Sequence, residues 1–300
     1  MRVDARNRFL AACSLAGAAT TAYRNPKPAE HTDGECWIDI ARLGSPDAPS
    51  VLVLACSLNG DEGYCGSTIM TEWLSSGHQR DDPRDVGLIM LHAVLPTRWT
   101  ARSAPPPDNT VQRSWSDAVL SAAAKRFASY TEHTRKRPEN EERPIEPSAT
   151  DTGWMEAASD AIVNEIIEHA QNVALLEFHT GFRPRGDIVV ASCHPPASEA
   201  SGRLKSWFGE STETEGQAIL DIFSLGFGSR LTDLSLTAAH IEFGVYTIGG
   251  ILGVGARSNT AERRADILSL FSPLSEEWHK HLSSEGTHHI EHTLTGLGKA

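Results

Sequence analysis

The chain has 300 residues, 40% of them hydrophobic and 22% charged, enough for one large α/β domain or two smaller ones and ordinary for a soluble globular protein. Its formal charge of -12 argues against nucleic acid as a partner, since phosphate binding relies on a surplus of Lys and Arg. No run reaches the ~18 to 20 apolar residues of a membrane span, so a membrane is not an expected partner either.

The five cysteines, Cys13, Cys36, Cys56, Cys65 and Cys193, have no CxxC spacing, and their odd number suits free thiols in a reducing, cytoplasmic compartment. They read as small core residues. Leu10-Ala11-Ala12-Cys13 looks like a lipoprotein cleavage site, but Asp4 and Asn7 stand where a basic leader belongs. An amphipathic opening helix over residues 5–18 is the better reading, followed by a proline-containing connection at 25–28.

Next, residues 36–41 suit a first strand, and Val51-Leu52-Val53-Leu54-Ala55-Cys56 reads as a central strand buried on both faces. Residues 67–75 read as a helix and 87–94 as a second buried strand, so a parallel pair with a right-handed crossover is expected. Residues 119–127 have helical apolar spacing. Residues 135–151 hold three prolines, many charges and Ile145 as their one large apolar residue, which predicts a flexible surface insert.

Order resumes with a helix over 154–170, strands at 173–178 and 187–191, and helices at 198–208 and 215–223. A strand at 236–246 and helices at 260–270 and 274–294 complete the pattern. The alternation predicts a single-domain α/β fold with a mostly parallel or mixed central sheet and helices on both faces.

Three positions stand out chemically. Asn59-Gly60-Asp61-Glu62-Gly63 closes one apolar run and Glu177-Phe178-His179-Thr180-Gly181 closes another, so Glu62 and His179 each follow a buried strand, where open α/β sheets bind ligands. Glu62 is a metal ligand or a carboxylate capping the next helix; His179 is a ligand or a hydrogen-bonded core histidine. Glu242, within Ala239-His240-Ile241-Glu242-Phe243-Gly244, is a carboxylate in an apolar strand, suited to a tuned general base or to a structural ion pair. Arg102 and Arg113 flank a proline-rich turn; such arginines grip carboxylates or are solvated surface.

Two further signals carry less. His288-His289-Ile290-Glu291-His292 matches an HxxEH zinc pattern in letters, but little chain follows it to supply a third ligand. A solvated helical face or adventitious metal binding is expected there, and removing the residues after Leu282 would control for chelation by the tail. The glycines at 250, 253 and 255 lack the spacing of a dinucleotide site.

Taken in chain order, Asn59-Gly-Asp-Glu-Gly-Tyr-Cys-Gly-Ser, His92-Ala-Val-Leu-Pro, Asp108-Asn-Thr-Val-Gln-Arg-Ser-Trp, Glu177-Phe-His-Thr-Gly and Ile241-Glu-Phe-Gly resemble the motifs of the zinc carboxypeptidase superfamily. Within it, the chain is most similar to the bacterial branch named domain of unknown function 2817. The resemblance implies a carboxypeptidase-like fold and a zinc-dependent hydrolase that cleaves a peptide or acyl-amino-acid amide bond. It further implies Glu62 and His179 as zinc ligands and Glu242 as the base that activates water. Arg113, beside Gln112, would hold the substrate carboxylate, and Arg102 the developing oxyanion.

The family's first motif reads His-Gly-Val-Glu-Gly, and this chain has Asn59 in place of its histidine. As a metal ligand Asn59 offers only a neutral amide oxygen, weak beside imidazole, so zinc is expected to bind weakly or not at all. The alternative is a catalytically inactive pseudoenzyme that keeps the pocket as a binding module for a small molecule or peptide.

Overall fold

The computed structural model describes residues 2–24, 37–56, 64–78, 85–92, 163–164, 169–209, 234–246 and 276–299. The expected helices at 119–127, 215–223 and 260–270, most of that at 154–170, the insert at 135–151 and the glycines at 250–255 lie outside the described residues.

Strand β1 (Ala19–Arg24) follows the opening helix α1 (Arg2–Ala16) and pairs antiparallel with β2 (Trp37–Leu43). β1 was not expected. Its Ala-Thr-Thr-Ala-Tyr-Arg sequence has no apolar alternation and is mostly exposed, so backbone pairing at the sheet edge defines it rather than burial. The two continuous apolar runs form β3 (Ser50–Cys56) and β4 (Val86–His92), buried at every residue. They pair in parallel across helix α2 (Tyr64–Ser76), as the strand-helix-strand pattern implies.

β5 (Asn172–Pro184) pairs in parallel with β3, and β7 (Ser235–Tyr246) in parallel with β5. β6 (Ile188–Ser192) pairs antiparallel with β7, which gives a seven-stranded mixed sheet in the order β1-β2-β4-β3-β5-β7-β6. Beyond the end of β6, the Ala238 amide donates to Nε2 of His194 at 2.8 Å, so a side chain continues the ladder where the backbone has turned away.

Four of the described helices pack on the first face of the sheet. Helix α3 (Glu199–Phe208), with Ser198 accepting from the Ser201 amide as its N-cap, and helix α4 (Glu276–Leu297) join α1 and α2 there. α1 buries Ala5, Phe9, Ala12 and Cys13, a helical stripe. Burial, with the nearby Asp39 carboxylate, pushes the Cys13 thiol up to about 12. Arg6 donates two bonds to the fully buried Asp39, at 2.6 and 2.7 Å, and stacks on Trp37. Cys56 and Cys65 are also buried, as expected of core residues, whereas Cys193 is only half-buried.

α4 corrects the reading of the histidine-rich tail as a solvated face. Trp278, Leu282, Gly286, His289, Ile290, Thr293, Leu294 and Leu297 form a buried stripe on it. Polar letters at those positions hide the stripe: Gly286 fits directly against Ile69, and His289 donates from Nδ1 to the Glu285 carbonyl at 2.6 Å. Only the outer histidines of the motif, His288 and His292, are exposed. Glu291 meanwhile accepts from Trp73 Nε1 at 3.0 Å and ties α4 to α2.

The second face carries its own apolar cluster of Ile38, Val53, Ala55, Leu91, Val173, Leu175 and Ala238, against which Val163 packs. No described helix is long and apolar enough to cross a membrane.

Candidate metal and catalytic site

On β5, side chains alternate between faces, so Val173, Leu175, Glu177 and His179 share the second face of the sheet. The lower two complete its apolar floor. The upper two change character toward the C-terminal edge and are nearly fully buried, at 0% and 3% exposure. A buried carboxylate requires a partner, and Glu177 has one two residues along the same strand: its Oε1 lies 2.8 Å from His179 Nε2. With the Nε2 proton directed at Glu177, the lone pair of a neutral His179 ring resides on Nδ1.

The parallel partner strand repeats this chemistry in register. Glu177 lies opposite His240 and His179 opposite Glu242, so two carboxylates and two imidazoles occupy adjacent positions on one face of two strands. The His179 and His240 rings are 4.4 Å apart between centroids and inclined at 56°. Glu242 is half-exposed rather than buried. A half-exposed carboxylate at the top of a strand can exchange protons with water, whereas the deeper Glu177 orients an imidazole.

β3 ends beside this group, with Cys56 opposite Phe178, one residue before His179. The chain re-enters as α2 at Tyr64, and Gly66 of α2 is pressed against Cys56 and Phe178. Asn59 and Glu62 belong to the intervening segment and lie outside the described residues, as do Arg102, Gln112 and Arg113. Of the residues singled out from the sequence, His179 and Glu242 are therefore described, and they are neighbours. Among the described residues no group of three or more His, Cys, Asp or Glu is placed to hold a metal, so a complete ligand set would have to include residues beyond them.

Two members of the group, Glu177 and His240, were not singled out from the sequence. The available signal was spacing: Glu-x-His and His-x-Glu each put both polar residues on one strand face.

Another histidine lies at the same end of the sheet on the opposite face. His92, the last residue of β4, shares a 2.9 Å hydrogen bond with Ser67 and stacks on Phe9. Burial and the Arg6 charge lower its pKa to about 3, so it is a neutral core residue.

Fold and site together define an α/β protein with a seven-stranded mixed sheet and an acid-imidazole cluster at the C-terminal edge of its central strands. Residues 3–99 match the family model described as "Protein of unknown function (DUF2817)", which bears out over that segment the resemblance read from the motifs. No curated protein matches the chain.

Among solved structures, glutaminyl cyclase from Fimbriiglobus ruber is similar at a TM-score of 0.51 and 11% identity, over 100% of this chain and 87% of that one. A candidate carboxypeptidase A from Shewanella denitrificans has a TM-score of 0.46 at 11% identity, over 97% of this chain and 69% of that one. The Legionella pneumophila LapA aminopeptidase has a TM-score of 0.44 at 11% identity; the match covers 99% of this chain but 63% of the length of LapA. At 11% identity the likeness to the glutaminyl cyclase concerns the fold alone.

Proposed function

We propose that the protein is a metal-dependent hydrolase of the zinc carboxypeptidase type, acting on a peptide or acyl-amino-acid amide bond. The observation that carries this reading is the Glu177-His179 hydrogen bond at the sheet edge with Glu242 in register beside it. A carboxylate holding one ring nitrogen and directing the other outward is the usual support of a metal-ligating histidine. On this reading His179, through Nδ1, and Glu62 are the protein ligands proposed, with Asn59 adding at most a weak amide oxygen.

Zinc, when bound, supplies Lewis acidity to an attacking water and to the scissile carbonyl. Glu242 accepts the proton of that water and returns it to the leaving amine. Glu177 keeps the His179 ring in one orientation and one tautomer. Arg113, with Gln112, would pair with the substrate carboxylate, and Arg102 would stabilise the developing oxyanion. The charge of -12 favours such a small substrate over nucleic acid.

Asn59 favours a second reading, a pseudoenzyme that binds carboxylate-bearing peptides without turnover. Metal content and hydrolysis of a panel of N-acyl-amino acids and short peptides separate the two. The hydrolase reading expects zinc-dependent turnover, abolished in Glu242→Gln with metal content unchanged and abolished in His179→Ala with metal lost. Absence of metal together with binding of the same compounds intact refutes it and leaves the pseudoenzyme.

A further inference from the structure

We propose that His194 is an acid-released clasp: as a neutral ring it pins the turn after β6 to β7, and on taking up a proton it lets that turn go. The register of β6 on β7 ends with Ser192 opposite Ala239, so one more step would pair Cys193 with Ala238. Half of that step is made by the backbone, since the Cys193 amide donates to the Ala238 carbonyl at 3.1 Å. The other half is not: the Ala238 amide donates to His194 Nε2 at 2.8 Å instead of to a carbonyl. Two residues earlier on the same edge, the Leu236 carbonyl accepts from Arg203 of α3, whose Nε also donates to Thr237 Oγ1. Side chains therefore finish this edge of β7 where β6 has stopped.

The chemistry of the acceptor makes the clasp conditional on pH. A carbonyl in this place would accept at any pH, whereas an imidazole accepts only through the lone pair of a deprotonated nitrogen. A backbone amide is always a donor, so the bond fixes the lone pair on Nε2 and the proton of the neutral ring on Nδ1. Protonation turns Nε2 into a donor facing another donor, and the ring has to leave.

Among the described residues the charge acting on the ring is Arg203 of α3, which opposes a second positive charge; β6 and β7 meet His194 through Ser192 and Ala238, which carry none. Burial first, and then Arg203, hold the ring below the ordinary histidine range, so it is neutral near pH 7 and takes its proton in acid. His194 is only half-buried, so the departing ring has water close by. β5 holds the other side of β7, with Leu236 opposite Val173 and Ala238 opposite Leu175, so release frees the turn without removing β7 from the sheet.

The test follows hydrogen exchange of the Ala238 amide by NMR, corrected for intrinsic exchange, from about pH 7.5 to about pH 5, with the protonation of His194 read from its ring nitrogen shifts. The Val53 amide, in the fully buried strand β3, reports global opening. His194→Gln offers an amide oxygen that accepts without titrating, and His194→Ala offers no acceptor.

In the parent, protection of Ala238 is expected to fall roughly tenfold or more along the titration of His194 while Val53 keeps its protection. The pH dependence disappears from both variants, with protection retained in His194→Gln and lost in His194→Ala. Protection of Ala238 that persists while His194 takes up its proton overturns the clasp, as does the parent's fall repeated in His194→Gln. A ring that stays neutral until Val53 opens as well overturns it too.

Discussion

Replacing Gly66 with alanine tests whether α2 sits against the sheet as closely as the site requires. In a solvated helix the change stabilises by about 0.5–1 kcal/mol, because glycine is a poor helix former. Here the added Cβ would lie 2.4 Å from Cys56 Cβ, 3.1 Å from Phe178 Cβ and 3.3 Å from the Phe178 carbonyl oxygen. Carbon atoms pack at about 3.5–4.0 Å, so α2 must retreat by roughly an ångström or β3 and β5 must give way. None of the three contacts is the far end of a flexible side chain, which puts the cost at about 3 kcal/mol, the upper part of the overpacking range.

For a chain of this size that is about 5 °C in Tm, measured by circular dichroism and checked by urea denaturation. Cys56→Gly removes the nearest clashing atom and Cys56→Ala does not. A double-mutant cycle should therefore show a coupling of about 1–2 kcal/mol with the first and little with the second. A Gly66→Ala protein as stable as the parent, or rescue by both Cys56 variants alike, would refute the packing argument.

Asn59→His should raise zinc occupancy of the purified protein, read by elemental analysis with the exposed His288 and His292 replaced by alanine. Glu177→Gln should lower zinc affinity by about 10–100-fold while leaving the fold intact, read by chelator competition. Arg6→Ala removes the cation from the buried Asp39 and should cost about 3 kcal/mol in urea unfolding.

Acid should destabilise the protein through its buried histidines. The pKa of His92 falls to about 3 in the fold through burial and Arg6, and those of His194 and His289 fall chiefly through burial. The unfolded chain takes up their protons first, near pH 6.5. Their stabilisation is therefore complete above that pH and is lost as pH falls, for His92 over the span down to about 3 and by at most on the order of 5 kcal/mol. His92→Gln should flatten this acid limb in pH-dependent unfolding; an unchanged limb would show that His92 does not titrate there.

How much was legible follows from where burial governs conformation. β3 and β4 are apolar on both faces, so their existence and parallel pairing could be read from letters alone. β1 could not, since it buries almost nothing and is held by backbone bonds to β2. α4 was legible as a helix but not as core, because Gly286, His289 and Thr293 fill buried positions with residues that a hydropathy pattern counts as surface. At the site, His179 and Glu242 could be named individually. Their adjacency depends on the β5-β7 register, a pairing between segments some sixty residues apart that no local pattern encodes. His240 was overlooked for the same reason, as its neighbour Glu177 is set by that register.

The Glu177-His179 contact has a consequence for how such a protein can change over time. Both groups come from one strand, two residues apart, and that strand is flanked by β3 and β7. Their alignment is inherited as a single short peptide unit and needs no distant loop to assemble it. Substitution in the segment after β3, at Asn59 for example, can thus proceed without dismantling this pair.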